Sequence, residues 1–361
     1  MARNVETIPV VESCSLETAA AAVAIDHACR TSGFFAIHID AATSAHRGRV
    51  IDAARRLFRL PEGAKERVSL RVGGAAWRGW FPLGGELTGG VPDLKEGFYI
   101  GRELDATHAH FARPLHGANV WPAEVPSLRT EVLAWMERME ALGQRALAAM
   151  ATGLGLAPRH FVDHLTADPT VLFRIFRYPP NPNDDRWGVA EHSDYGLLTL
   201  LAHDGTPGLQ VRVGDDWTDV DPNPDLIVCN IGDMLDRMTG GRYCSTPHRV
   251  RNTAATERIS LPFFLDPTWT AHVTPLPLGD TAPPAGDRAA RWDHTDLATV
   301  TGTYGEWLVD RVRPVFPDLA TAVLADAAAQ PSTAQPSTAQ PSTAQPSTAQ
   351  PGTGQPVRAS Q

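Results

Sequence analysis

The sequence predicts a mainly β domain with flanking helices, an α+β arrangement around a barrel or double-sheet jelly-roll core. The first observation is a series of short apolar runs in the second half of the chain, separated by turns rich in Gly, Pro, Asp and Asn. The second is that no helical pattern interrupts this series, which argues against a parallel α/β sheet. The third is that the long helical patterns precede these runs, so that they can pack against the sheet.

The first half of the chain predicts three helices and one strand. Alanine and other apolar residues recur at helical spacing in the helices, and glycine or proline lies at or just beyond the end of each. A short run of aromatic and β-branched residues predicts the strand. The predicted elements are a helix at Leu16–Arg30, a strand at Phe34–Ile39, a helix at His46–Leu60 and a long helix at Pro126–Leu154.

The second half of the chain predicts the strands of the core. Each run is rich in residues that favour a pleated, half-buried surface. The runs are Val171–Tyr178, Leu197–Ala202, Gly208–Val213, Leu226–Asn230, His248–Arg251 and Ile259–Leu265.

The predicted domain ends before a repetitive tail. We expect one domain at 1–327, with an N-terminal helical region at 1–125, the jelly-roll core at about 165–290 and a C-terminal helix at about 303–325. From Pro331 the unit PSTAQ repeats four times. Proline at every fifth position blocks a helix, and the repeat contains nothing that can fill a core. Residues 328–361 are therefore predicted to be disordered.

Composition and charge exclude several classes of protein. The formal net charge is −9, and no run of Lys and Arg provides the basic patch that nucleic-acid phosphates require. No apolar stretch approaches the roughly 18 residues that span a bilayer, and the N-terminus lacks the layout of a signal peptide. The four cysteines have neither a disulfide-framework nor a zinc-site spacing. We expect a cytoplasmic monomer with no nucleic-acid or membrane partner.

A possible metal site begins with His192 and Asp194. On an extended backbone, residues i and i+2 point to the same face, so these two side chains can meet one cation. His248, at the start of a later predicted strand, can add a third ligand. Two histidines and one carboxylate suit Fe(II) with open coordination positions, whereas zinc is more often held tetrahedrally. A His-x-Asp pair alone also fits an exposed surface pair.

A second pair of residues favours the metal interpretation. Arg258 and Ser260 are also spaced i and i+2, within the apolar strand sequence ERISLPFFL. A guanidinium can bind a carboxylate with two hydrogen bonds, and a serine hydroxyl can add another. The alternative interpretation of Arg258 is an exposed salt bridge, but its position between apolar strand residues makes that less attractive. The sequence thus predicts a carboxylate-binding site beside the metal site.

These motifs resemble the isopenicillin N synthase-like family of Fe(II)/2-oxoglutarate oxygenases over about residues 5–320. The similar segments include TSGFFAIHI, HSD, GLQVRVGDDWTDVDPNPDLIVCNIGDML, RYCSTPHRV and RIS. The resemblance implies a distorted double-stranded β-helix (jelly-roll) core, Fe(II) as cofactor, and 2-oxoglutarate and O2 as cosubstrates. It also implies that the distal carboxylate of 2-oxoglutarate pairs with Arg258 and Ser260, with Tyr178 and Arg174 nearby.

Four segments are locally most similar to the bacterial ethylene/succinate-forming enzymes of that family: GELTGGVPD, RIFRYPP, HSDYGLLTL and MTGGRYCSTPHRV. This similarity implies that Glu86, Thr88 and Tyr195 contact an amino-acid substrate. The region near Arg313 and Pro314 departs from the pattern, because it does not clearly reproduce the arginine that closes the substrate site of those enzymes.

The expected function is oxidation of an unactivated C–H bond in a small molecule, an amino acid or a secondary metabolite, with release of succinate and CO2. Hydroxylation, desaturation and ring closure all remain open, and a role in antibiotic biosynthesis is expected. The alternatives are ethylene and succinate formation from 2-oxoglutarate with L-arginine, and a 2-oxoglutarate-independent oxidase of the isopenicillin N synthase type. A non-catalytic sensor of a small acid, or more remotely a zinc hydrolase, would also fit the motifs.

Overall fold

A computed structural model of the chain describes residues 8–111, 113–181, 186–214, 216–279, 296–317 and 320–321. The helices are α1 (Ala19–Thr31), α2 (Ala41–Phe58), α3 (Glu62–Glu66), α4 (Leu70–Gly73), α5 (Ser127–Gly153), α6 (His160–His164), α7 (Asp233–Met238) and α8 (Tyr304–Val312). None of the helices in these ranges is both long enough and apolar enough to cross a membrane.

The strands form two main sheets and a hairpin. They are β1 (Val10–Glu12), β2 (Phe34–His38), β3 (Gly79–Phe81), β4 (Leu87–Thr88), β5 (Val91–Pro92), β6 (Glu96–Gly101), β7 (Thr170–Tyr178), β8 (Val189–His192), β9 (Leu198–His203), β10 (Leu209–Val213), β11 (Asp216–Asp219), β12 (Leu226–Ile231), β13 (His248–Val250) and β14 (Arg258–Asp266). The larger sheet has the order β1-β2-β12-β9-β14-β7-β6-β3, and the smaller has the order β11-β10-β13-β8. All pairs are antiparallel except β1 with β2.

The larger sheet carries a helix on one face and a pocket on the other. Along β14, Arg258, Ser260 and Pro262 line the pocket, and alternate side chains of a strand point to opposite faces. Leu265 lies on the helical side, where a Cβ at Gly143 of α5 would be 2.7 Å from Leu265 Cδ2. The glycine therefore allows α5 to approach the sheet closely. Residues of the smaller sheet line the opposite wall of the pocket, which gives the jelly-roll arrangement.

Hydrogen bonds at the helix starts explain where the helices that frame the sheets begin. Thr18 accepts a hydrogen bond from Ala21 N at the start of α1, and Asp40 accepts one from Thr43 N at the start of α2. Thr303 and Glu306 form a capping box at the start of α8.

The predicted strands and the predicted jelly-roll core agree with the structure. The region 1–125, expected to be helical, contains α1 to α4 but also contributes β1, β2, β3 and β6 to the larger sheet. Of the C-terminal helix expected at 303–325, the structure describes α8 and, beyond it, residues 313–317 and 320–321. Residues 280–295 and the tail expected at 328–361 lie outside the described residues.

Candidate active site

Two antiparallel strands of the smaller sheet bring the two predicted histidine ligands together. His192 ends β8, His248 begins β13, and the two residues are partners in the strand register. Their ring centroids are 4.2 Å apart. Asp194 follows two residues after His192, and its Oδ1 lies 4.0 Å from His192 Nε2 and 3.8 Å from His248 Nε2. The three donor atoms therefore face a common point.

Backbone carbonyls fix the orientation of both imidazoles. His192 Nδ1 lies 2.8 Å from the carbonyl oxygen of Ala190, and His248 Nδ1 lies 3.3 Å from that of Thr246. Because a carbonyl oxygen can only accept a hydrogen bond, each Nδ1 carries the proton and each Nε2 keeps its lone pair. This is how metal-binding histidines are normally supported.

Asp194 is held by the larger sheet. Its Oδ2 accepts hydrogen bonds from Thr199 Oγ1 at 2.5 Å and from Asn230 Nδ2 at 2.6 Å. Thr199 on β9 and Asn230 on β12 are cross-strand partners, so the two donors lie side by side. Since Oδ2 is engaged, Oδ1 is the oxygen that faces the histidines. The site therefore joins both sheets.

The surroundings also set the charge of these groups. Burial, followed by the neighbouring His192, lowers the pKa of His248 to about 4, and burial lowers the pKa of His192 as well. Burial acts to raise the pKa of Asp194, but the two histidines and the hydrogen bonds to Oδ2 outweigh it, and the pKa is lowered. At neutral pH the site thus presents two neutral imidazoles and a carboxylate, the forms that bind a metal.

One metal ion could contact all three side chains. The ligand atoms of His192, Asp194 and His248 lie within 4.8 Å of one another, and they are the one such group found among the described residues. Two neutral imidazoles and one carboxylate match the donor set of mononuclear non-haem Fe(II), which leaves coordination positions for other ligands.

The same pocket contains a buried arginine that pairs with no carboxylate of the described residues. Arg258 is 1% exposed and pairs across the strands with Tyr178 of β7. Its Nε donates to the carbonyl of Thr206 at 3.2 Å, but its Nη1 is buried and no described residue accepts a hydrogen bond from it. Ser260 lies two positions further on β14, with its Oγ 3.4 Å from the Tyr178 hydroxyl. An anionic oxygen would satisfy this Nη1, so the site fits a carboxylate such as that of 2-oxoglutarate.

A cavity of about 460 Å³ joins the triad to Arg258. The fourth residue expected near 2-oxoglutarate, Arg174, also lines it. Its guanidinium stacks at 3.6 Å from the centroid of the Tyr99 ring and donates to the carbonyls of Ile100 and Phe173. The structure thus groups Arg258, Ser260 and Tyr178, and it places Arg174 on the wall beside Tyr99.

The three expected substrate contacts all line the cavity. Glu86 Oε1 accepts a hydrogen bond from the Tyr99 hydroxyl at 2.6 Å. Thr88, at the end of β4, donates its hydroxyl proton to Asp93 at 2.8 Å, which orders the β4–β5 hairpin. Tyr195 follows Asp194 directly, and burial is the main cause that raises its pKa, so its hydroxyl stays protonated.

Sequence reasoning missed two cations of this cavity. Lys95 Nζ lies 3.0 Å from Glu86 Oε2 and 2.5 Å from Asp93 Oδ2. Burial acts to lower the pKa of Lys95, but these two carboxylates outweigh it and raise the pKa, so the ammonium stays charged. Arg311 of α8 also lines the cavity, with its Cζ 4.3 Å from the centroid of the Trp307 ring. The one sequence signal for Lys95 was that lysine occurs twice in a chain otherwise rich in arginine.

Comparison with known proteins bears on the same regions. The family model described as the 2OG-Fe(II) oxygenase superfamily matches residues 169–267, and the model of the N-terminal region of non-haem dioxygenases in morphine synthesis matches residues 8–124. A Dictyostelium discoideum protein named "Probable iron/ascorbate oxidoreductase" is 36% identical over 326 residues, which cover 83% of this chain and 90% of that protein. Homoarginine-6-hydroxylase 2-ODD-C23 of Glycine max is 30% identical over 305 residues, covering 82% and 89%.

A solved structure is similar over about the same share of this chain. A 2OG-Fe(II) oxygenase family protein from Caulobacter crescentus superposes with a TM-score of 0.71 and 30% sequence identity, covering 85% of this chain and 98% of that one. The matched region at residues 169–267 includes Arg258 and all three metal-site residues. From these matches, the chain belongs to the 2OG-Fe(II) oxygenase superfamily and is an oxidoreductase that uses Fe(II) and 2-oxoglutarate.

Proposed function

We propose that this oxygenase hydroxylates a free amino acid with a cationic side chain, with L-arginine and L-homoarginine as the first candidates. His192, Asp194 and His248 hold Fe(II) in this proposal. Bound Fe(II), with 2-oxoglutarate and O2, supplies the oxidation of a C–H bond with release of succinate and CO2.

The residues of the chain bind and orient the reactants. Arg258 and Ser260 receive the distal carboxylate of 2-oxoglutarate, and Tyr178 places its hydroxyl beside Ser260. This directs the keto-acid end towards the triad. The observation that most directly supports this role is the buried Nη1 of Arg258, which has no hydrogen-bond acceptor among the described residues. Arg258 lines the same pocket as the triad. The unsatisfied Nη1 favours an enzyme that uses 2-oxoglutarate over an oxidase that does not.

Glu86, which lines the cavity, supports a cationic substrate. Glu86 and Asp93 share the single ammonium of Lys95, so their two carboxylates are not both neutralised by it. A guanidinium or ammonium group of a substrate can add hydrogen bonds to Glu86. Arg311 lines the same cavity and can pair with the carboxylate of an amino acid. The name of the Glycine max relative, a homoarginine hydroxylase, points to the same chemical class.

Substrate-stimulated succinate release tests this proposal. We would compare L-arginine, L-homoarginine and L-citrulline, because citrulline has almost the shape of arginine without its charge. The expected result is at least tenfold stronger stimulation by a cationic compound, and a product heavier by one oxygen atom. Equal stimulation by citrulline would contradict the cationic substrate. Loss of two hydrogen atoms would indicate desaturation or ring closure, and ethylene in the headspace would indicate the ethylene-forming reaction.

Glu86→Gln tests the residue itself. The change keeps the size of the side chain and removes its charge, so the KM for a cationic substrate should rise about 10- to 100-fold, the value of a hydrogen bond to a charged group. The KM for 2-oxoglutarate should stay within about twofold. Glu62→Gln, on an exposed part of α3, is the matched control. An unchanged KM for the amino acid in Glu86→Gln would remove Glu86 from the substrate site.

We further propose that residues 1–327 form one oxygenase domain and that the protein acts as a cytoplasmic monomer on a small molecule, in antibiotic biosynthesis. The net charge of −9 and the pocket of about 460 Å³ support a small-molecule rather than a nucleic-acid substrate. Light scattering coupled to size-exclusion chromatography measures the oligomeric state. A mass of two chains would contradict the monomer.

A further inference from the structure

A second, much smaller cavity lies away from the active site. Its volume is about 20 Å³, enough for one water-sized species, and it shares no lining residue with the larger cavity. Its lining includes Arg78, just before β3, and Thr170, the first residue of β7. No role in metal or cosubstrate binding falls on these residues.

Arg78, which lines this cavity, has buried hydrogen-bond donors without a partner among the described residues. The residue is 2% exposed, and its Nη2 donates to the carbonyl of Leu115 at 2.8 Å. Its Nε and Nη1 are buried, and no residue in the described ranges accepts a hydrogen bond from them. The hydroxyl of Thr170 is likewise buried without a described partner. Buried polar groups in native proteins rarely lack a hydrogen-bond partner. These unsatisfied donors therefore indicate that the cavity holds an occupant that accepts hydrogen bonds.

The acids near Arg78 are engaged elsewhere. Asp168, the acid that lines the cavity, receives Arg102 Nη1 at 2.8 Å and lies 3.5 Å from His110 Nδ1. Glu103 accepts hydrogen bonds from Asn119 Nδ2 and from Trp121 Nε1, both at 3.1 Å, and its Oε2 lies 3.8 Å from Arg129 Nε.

The remaining neighbours of Arg78 do not balance its charge. Burial, followed by the nearby guanidinium of Arg174, lowers the pKa of Arg78 to about 9, so Arg78 is still charged at neutral pH. Burial lowers the pKa of His116, which lines the cavity, to about 4, so this ring is neutral. Glu103 acts to raise the pKa of Arg78, but no acid in the described ranges forms a direct ion pair with its guanidinium. A bound anion would therefore offset more of the cost of this buried charge than water could.

The backbone is shaped to hold the guanidinium in this position. A Cβ at Gly101, the last residue of β6, would lie 1.8 Å from Arg78 Nη2 and 2.2 Å from its Cζ. Only a residue without a side chain lets the guanidinium pack against this strand. A volume of about 20 Å³ suits one small species, a monatomic anion or a water molecule, better than a carboxylate, phosphate or sulfate.

We propose that the small cavity is a chloride site, in which Arg78 Nε, Arg78 Nη1 and the Thr170 hydroxyl donate to the ion. The site is separate from catalysis and stabilises the fold by neutralising a buried cation.

Crystallography with bromide tests the identity of the occupant directly. Bromide replaces chloride and scatters anomalously, so the full chain would be crystallised in sodium bromide. An anomalous peak in the cavity within hydrogen-bonding range of Arg78 Nε and Nη1 is the expected result. Density there without an anomalous signal identifies water and overturns the proposal.

Thermal unfolding in matched salts is an independent test. Sodium methanesulfonate, whose anion is much larger than chloride, is replaced by sodium chloride at constant ionic strength. At a chloride concentration ten times the Kd, the Tm should rise by about 2 °C, and bromide should act similarly. Equal Tm values in the three salts would overturn the proposal.

Two variants connect the effect to Arg78. Arg78→Met removes the cation, and Arg78→Lys keeps the charge but replaces three guanidinium nitrogens with one ammonium nitrogen. One variant therefore remains informative if the other does not fold. Both should lose most of the chloride-specific rise in Tm. Arg159→Met, at an exposed arginine, should keep it. A full chloride response in a folded Arg78 variant contradicts the site.

Discussion

Removal of the Arg258 guanidinium should separate binding of 2-oxoglutarate from binding of iron. In Arg258→Ala, a carboxylate bound beside Ser260 loses its charged donor, and a hydrogen bond to a charged group contributes about 2–3 kcal/mol. The KM for 2-oxoglutarate should therefore rise about 30- to 150-fold. Iron affinity should change little, because none of the hydrogen bonds that orient the triad involves Arg258.

Two assays measure these quantities on the same protein. Succinate release at varied 2-oxoglutarate gives the KM, and an anaerobic Fe(II) titration gives the metal affinity. Ser260→Ala, which removes a neutral hydroxyl, should raise the KM only about fivefold. Arg258→Lys keeps the charge without the planar fork and should lie between the two. Arg159→Ala is a control at an exposed arginine.

Two results would refute this reasoning. One is an unchanged KM for 2-oxoglutarate in a folded Arg258→Ala variant, which would place the cosubstrate elsewhere. The other is a parallel loss of iron affinity, which would show that Arg258 acts on the metal site. Circular dichroism of each variant establishes that it is folded, since Arg258 also holds the carbonyl of Thr206.

Two further predictions concern the groups around the triad. Asn230→Ala removes one of the two hydrogen bonds to Asp194 Oδ2 and should weaken Fe(II) binding about 10- to 100-fold in the same titration; unchanged affinity would contradict the positioning role. Asp266 is 3% exposed, and burial raises its pKa from 3.8 to about 7, so the folded state holds a proton that the unfolded state has lost between these values. The free energy of unfolding that this group contributes is therefore fully present below about pH 4 and is lost as pH rises to about 7. Urea unfolding at pH 5 and pH 8 measures this loss. Between these two pH values, the free energy of unfolding should fall by about 2–3 kcal/mol less in Asp266→Asn than in the wild type. Equal pH dependence in both proteins would show that Asp266 is ionised throughout.

Six strands of the core could be predicted, because most of their sequences are rich in apolar and β-branched residues and turn residues separate them. The run predicted at Val171–Tyr178 is β7 (Thr170–Tyr178), and the run predicted at Ile259–Leu265 is β14 (Arg258–Asp266). β6 was missed because glycines interrupt its sequence EGFYIG. A Cβ at Gly97 would lie 2.4 Å from Phe81 Cε1, so close packing of an aromatic ring requires glycine there and hides the strand pattern.

The residues of the active site also differ in whether the sequence reveals them. His192, Asp194 and Arg258 could be recognised because local spacing places them on one face or at the end of one strand. Lys95 and Arg311 could not, because their role depends on which distant segments enclose the cavity. Lys95 is paired with Glu86, which lies on the other side of the β4–β5 hairpin. No periodicity within either segment encodes that pairing.

The metal site depends on the strand registers of both sheets. The local sequence around each ligand therefore specifies only part of its geometry. The register of β8 and β13 sets His192 opposite His248, and the register of β9 and β12 sets Thr199 opposite Asn230. Asp194 lies between these pairs, with one carboxylate oxygen towards each. A slip of one residue in either pairing would turn the side chains of one pair to the opposite face. The ligand geometry is therefore a property of the closed jelly roll, and the tripeptide His192–Asp194 provides only two of its three donors.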